Sequence, residues 1–65
     1  MLDFIKQLNV IINVLESLNC HSLVSYVQQF NNYDLIKGYS IIAKNYAKIN
    51  NRHDLLEMLE FAGLA

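Results

Sequence analysis

The chain has 65 residues, a formal net charge of -1 and five Lys or Arg. That leaves room for a single domain (residues 1–65) and sets up no strong field toward nucleic acid or an anionic membrane. Hydrophobic residues make up 54% of it against 17% charged, an excess that a fold burying only about 60% of its unfolded surface must pack densely or keep for a partner.

Residues Leu2 to Leu18 predict the longest helix. Phe4, Ile5, Leu8, Ile11, Ile12, Leu15 and Leu18 share a broad face at 100° per residue, while Lys6, Asn9, Asn13 and Glu16 lie mainly across from them. Val10 and Val14 sit one turn apart at the shoulder of that stripe, so the apolar arc is wide enough to touch two neighbours. The polar groups from Asp3 to Ser17 are too many for a membrane span, which needs roughly 20 mainly apolar residues. No positive leader precedes an uninterrupted apolar core, so neither a span nor a signal peptide is expected.

Asn19, Cys20 and His21 break the pattern, and Ser22 is the expected N-cap of a short helix from Leu23 to about Phe30. After a second break, Asn31 is the expected cap of a third helix, with Asp34 near its positive end. In this helix Leu35, Tyr39, Ile42, Tyr46 and Ile49 form one face, widened by Ile36 and Ala43, and Lys37, Ser40, Lys44 and Lys48 fall opposite. Asn50-Asn51-Arg52 is a polar turn in which Asn51 and Asp54 repeat the capping arrangement. The last helix, from about His53 to Ala62, aligns Leu55, Leu59 and Ala62, and Gly63 closes it.

The expected fold is therefore all-α, a compact bundle of about four helices whose C-terminal two form an antiparallel hairpin. Leu8, Leu15, Ile42 and Tyr46 are the expected framework. Ile41, near the lysine face, and Phe61, away from Leu55 and Leu59, do not fit the stripes. Together with Val10, Val14 and Tyr33 they are the candidate protein-binding residues, provided that they converge in space.

Residues 39–62 resemble a tetratricopeptide-type helical hairpin. Tyr39, Ile42, Ala43, Tyr46 and Ala62 match that family's order of large and small residues, with Asn50 where glycine is commonest and Leu55 and Leu59 at the later small and aromatic positions. The resemblance covers about half of the chain, and the first half does not repeat the pattern at the same spacing. It implies protein or peptide recognition.

Reactive chemistry is sparse. Cys20 beside His21 is read as a helix-end thiol, and adjacency does not set imidazole over sulfur. His53 and Asp54 have no recognised metal-ligand spacing with Cys20 and His21. The carboxylates are scattered, and Gly38 and Gly63 are the sole glycines, so there is no phosphate loop. No catalytic, cofactor or metal site is assigned, and an enzyme is not expected. The single Cys20 allows no internal disulfide and fits the cytoplasm.

The expected function is a small helical protein–protein interaction module acting as adaptor, inhibitor or regulator, with self-association or a protein partner. The second reading is a compact helix-turn-helix-like DNA-binding transcriptional regulator, for which Lys37, Lys44 and Lys48 supply a modest basic face and the acidic balance is the counterweight.

Overall fold

The computed structural model describes residues 4–29 and 32–64, and among these it contains four α-helices. They are α1 (Phe4–Ser17), α2 (His21–Val27), α3 (Tyr33–Ile49) and α4 (His53–Phe61). No strand occurs among the described residues, so the all-α expectation holds. The radius of gyration, 10.4 Å, is close to the roughly 10.7 Å of a compact chain of this length. The principal extents of the molecule are 29 × 26 × 15 Å, so it is flattened along one axis.

The central element is α1, which packs against α2, α3 and α4, while α3 and α4 pack on each other as the expected hairpin. The wide apolar arc of α1 explains this position. Ile11, Val14 and Leu15 are wholly buried, and Phe4, Leu8, Val10, Ile12 and Leu18 lie partly buried against the core. From the other helices come Val24, Val27, Ile36, Ala43, Ala47, Leu55 and Leu59. Leu15 and Leu8 thus take their expected framework places, fully and in part.

The α3 face differs from expectation. Its buried residues are Ile36, Ser40, Ala43 and Ala47, whereas Leu35 (40% exposed), Tyr46 (41%) and Ile49 (75%) are at the surface. Tyr46 is therefore not framework, and Ile42 is only half-buried. The helix carries two adjacent stripes, and its neighbours take the one with the small residues. Ser40, Ala43 and Ala47 let backbones approach closely, and the Ser40 hydroxyl donates to the Lys37 carbonyl at 2.7 Å, so its burial leaves no unmet donor.

Three helix ends share one geometry. At the end of α1, Asn19 adopts φ 61°, its N–H donates to the Glu16 carbonyl (3.0 Å), and the Cys20 N–H reaches the Leu15 carbonyl (2.9 Å). Asn51 (φ 56°) and Arg52 do the same at the end of α3, onto Lys48 (3.1 Å) and Ala47 (2.8 Å). At the end of α4 the pair is Gly63 (φ 74°) and Leu64, onto Glu60 and Leu59, both at 2.9 Å. Each is a Schellman motif, and the left-handed position falls to Asn or Gly, the residues that tolerate it.

These turns correct the expected caps. The residue after each left-handed Asn opens the next helix directly, so α2 is preceded by Cys20 and α4 by Arg52, neither with a side-chain cap bond. Ser22 and Asp54 lie inside the first turns, and Asn51 closes α3 instead of capping α4. Asn32 caps α3, its Oδ1 accepting from the Leu35 N–H at 3.1 Å, while Asn31 and Phe30 lie outside the described residues.

The two halves also recur at an interval of 32 residues. Ser17 and Ile49 end α1 and α3, and His21 and His53 begin α2 and α4 at that spacing. Asn13, Asn19, His21 and Leu23 return as Asn45, Asn51, His53 and Leu55, and the linking residues Cys20 (φ -92°, ψ 59°) and Arg52 (φ -96°, ψ 78°) have similar backbones. The order of large and small residues does not recur, since Ile11 and Leu15 stand where the second half has Ala43 and Ala47. What repeats is the helical hairpin and its turn.

Candidate protein-interaction surfaces

Among the described residues, two apolar surfaces between or along the longer helices are partly uncovered. The first is an open groove of about 300 Å³ between α1 and α4, lined by Lys6, Asn9, Val10, Met58, Phe61 and Ala62. Phe61 stands at its edge with 87% of its surface exposed. Beneath it Gln7 ties the two helices together, its Nε2 donating to the Ala62 carbonyl at 3.0 Å. The carbonyl at 62 fixes the orientation of that amide, because the reverse would set two acceptors face to face. The Gln7 Oε1 is buried and has no hydrogen-bond partner.

The second surface is the outer stripe of α3. Leu35, Tyr39, Ile42, Tyr46 and Ile49 follow one another at steps of four, three, four and three, the spacing of a seam on which another helix seats its side chains. Gly38 lies beside this seam. A Cβ placed on it would meet nothing within 4 Å, so no neighbour inside the fold requires a glycine there. By helical geometry Lys37, Lys44 and Lys48 lie on the side of α3 away from the seam, and α4 carries the acidic groups Asp54, Glu57 and Glu60.

The sequence-predicted candidates divide among these places. Val10 and Phe61 meet in the groove. Val14 is wholly buried, so no surface of it is available to a partner unless the fold opens. Tyr33 is 43% exposed and packs edge-on against Phe4, with ring centroids 5.5 Å apart and planes at 86°. Ile41, 60% exposed, lies on α3 away from the groove lining. The groove also recruits Lys6 and Asn9, which periodicity reads only as the wet side of α1. Sequence periodicity assigns the α3 seam to the core; the exposure of Leu35, Tyr46 and Ile49 is what separates it from the buried stripe.

The electrostatics are local. Arg52 donates from Nε and a terminal nitrogen to both carboxylate oxygens of Asp54, at 3.1 and 2.9 Å. This bidentate bond holds the Asp54 carboxyl below its ordinary value and raises the Arg52 guanidinium, with charge attraction acting in the same sense. The pair is exposed and braces the first turn of α4. Among the described residues no three His, Cys, Asp or Glu side chains gather where they could hold a metal ion, and no helix is long and apolar enough to cross a membrane. Comparison with protein-family models, with curated proteins and with solved structures finds no match.

Proposed function

We propose that the protein is a small helical interaction module, an adaptor, inhibitor or regulator that works by receiving a helix of another protein chain on its uncovered apolar surfaces. The observation that carries this reading is the α3 seam, where Ile49 is 75% exposed and Leu35 and Tyr46 about 40% each. Large side chains at seam spacing, set beside an unobstructed glycine, form a surface for helix docking through spaced apolar anchors. Binding by this route comes from burial of apolar area, with Tyr46 contributing an aromatic anchor. The reading needs no cofactor and no reaction, and it places the free thiol of Cys20 in the cytoplasm.

The test is affinity capture from the native source followed by mass measurement, with the wild-type chain and Ile49→Asp side by side. A partner retained by the first and lost by the second, with unchanged helical circular dichroism, is the expected result. Equal retention by both removes the seam from the reading.

A DNA-binding regulator is the second reading, favoured by the shared side of Lys37, Lys44 and Lys48 on α3. The net charge of -1 opposes it, since phosphate contacts dominate non-specific affinity for DNA. Retarded migration of duplex DNA at moderate salt, relieved by Lys44→Glu, would put it first.

A further inference from the structure

We infer that the occupant of the α3 seam is a second copy of this chain, stacked head-to-tail so that its first hairpin lies on the second hairpin of its neighbour. The inference rests on the interaction-module reading and specifies its partner.

The argument comes from the 32-residue recurrence. Three of the five positions of the α3 seam have equivalents on α1 that are at least partly buried, Gln7 for Tyr39, Val10 for Ile42 and Val14 for Tyr46, while Ser17, the equivalent of Ile49, is exposed. On α1 the first three are covered. Val14 is wholly buried, Val10 is partly buried with Met58, Phe61 and Ala62 across from it, and Gln7 bonds to the Ala62 carbonyl. For Gln7 and Val10 this cover comes from α4, the second helix of the hairpin that follows, and from its C-terminal end. On α3 the same stripe is left open by the described helices at Tyr46 and Ile49, which are exposed.

A hairpin of the same kind is therefore what fits there, and the first hairpin of another copy supplies one. Its α2 would take the part played by α4. Tyr26, which precedes Met58 by 32 residues, is ready for that part with 62% of its surface exposed, and Ile5 on α1 is 67% exposed. A standard interface takes about 800 Å² from each partner, about a fifth of the 4285 Å² accessible on this chain. Because the two surfaces differ, the contact is heterologous and does not close on itself, so stacking continues beyond a pair.

Sedimentation equilibrium between about 1 μM and about 1 mM tests this, using the whole chain and two surface variants, Tyr46→Asp at the α3 end and Tyr26→Asp at the α2 end. The wild type is expected to gain mass with concentration without stopping at a dimer. Each variant alone should associate at least about tenfold more weakly, because a charge is placed on an apolar contact. An equimolar mixture of the two should form a one-to-one complex and nothing larger, since each retains the end that the other lacks. A monomer at every concentration, a wild-type dimer indifferent to Tyr26→Asp, or a mixture that does not pair would overturn the inference. A chain that stays monomeric yet captures an Ile49-dependent foreign partner ends the stacking and leaves the interaction module standing; a chain that does neither ends both.

Discussion

Asn19 and Asn51 stand 32 residues apart in the same left-handed conformation, at φ 61° and 56°, each ending one helix so that the next can begin two residues later. A non-glycine residue there carries a steric cost that Asn bears better than most. Replacing either Asn by Gly is expected to raise stability by about 0.5 kcal/mol, and by Ala to lower it by about 1 kcal/mol. For a domain of this size 1 kcal/mol is a shift of about 4–8 °C in Tm, readable by circular dichroism melts of the four single variants. Equal Tm values for the Gly and Ala forms would show that the turn does not depend on the left-handed residue.

Gly38 lies inside a 17-residue helix with empty space in front of it. Gly38→Ala should therefore stabilise the isolated chain by about 1 kcal/mol, the difference in helix propensity. Urea unfolding of the two proteins at low concentration measures this, and a loss of stability would show that a side chain at this point meets a neighbour.

The two stripes of α3 can be separated by mutation. Ile36 is fully buried, and Ile36→Ala should cost about 2–5 kcal/mol, as much as a chain this short commonly holds in reserve, about 3–5 kcal/mol. Loss of a cooperative thermal transition is the expected outcome. Tyr46→Ala, on the exposed stripe, should stay within about 1 kcal/mol of the wild type. If the two variants exchanged these outcomes, the assignment of the buried stripe would be reversed.

Asp54 contributes to stability through its ionised form. Because the Arg52 hydrogen bond lowers the folded-state pKa, the contribution is fully present above the unfolded value of about 4 and disappears as the pH falls through the lower, folded value. Asp54→Asn should thus melt below the wild type at neutral pH, with the gap closing once the pH has fallen through the lowered folded-state value. The exposure of the pair makes the gap small, and a gap that persists in acid would assign the effect to something other than the carboxylate charge.

Much of the helical content was legible from apolar spacing alone. Leu15 on α1, Leu55 and Leu59 on α4, and Gly63 as the closing residue all stand where periodicity and turn chemistry put them. The buried face of α3 was not legible, because Ile36 and Ile42 belong to neighbouring stripes and spacing cannot say which one the rest of the chain will cover. Close approach decided it, through Ser40, Ala43 and Ala47, residues that a hydrophobicity pattern counts as weak. Ser22 and Asn51 have the chemistry of caps, yet the Schellman turns leave no room for a separate capping residue. Val10 and Phe61 fit no stripe squarely in the sequence, and both line the same groove.

The attachment of α2 has a consequence for how the molecule comes apart. This seven-residue helix leans chiefly on α1, and a segment so short has no stability by itself. It is the piece that can peel away while the other three hold, so its amides should lose protection against solvent exchange first. Each such excursion would bare Val24 and Val27, briefly adding fresh sticky surface at one edge.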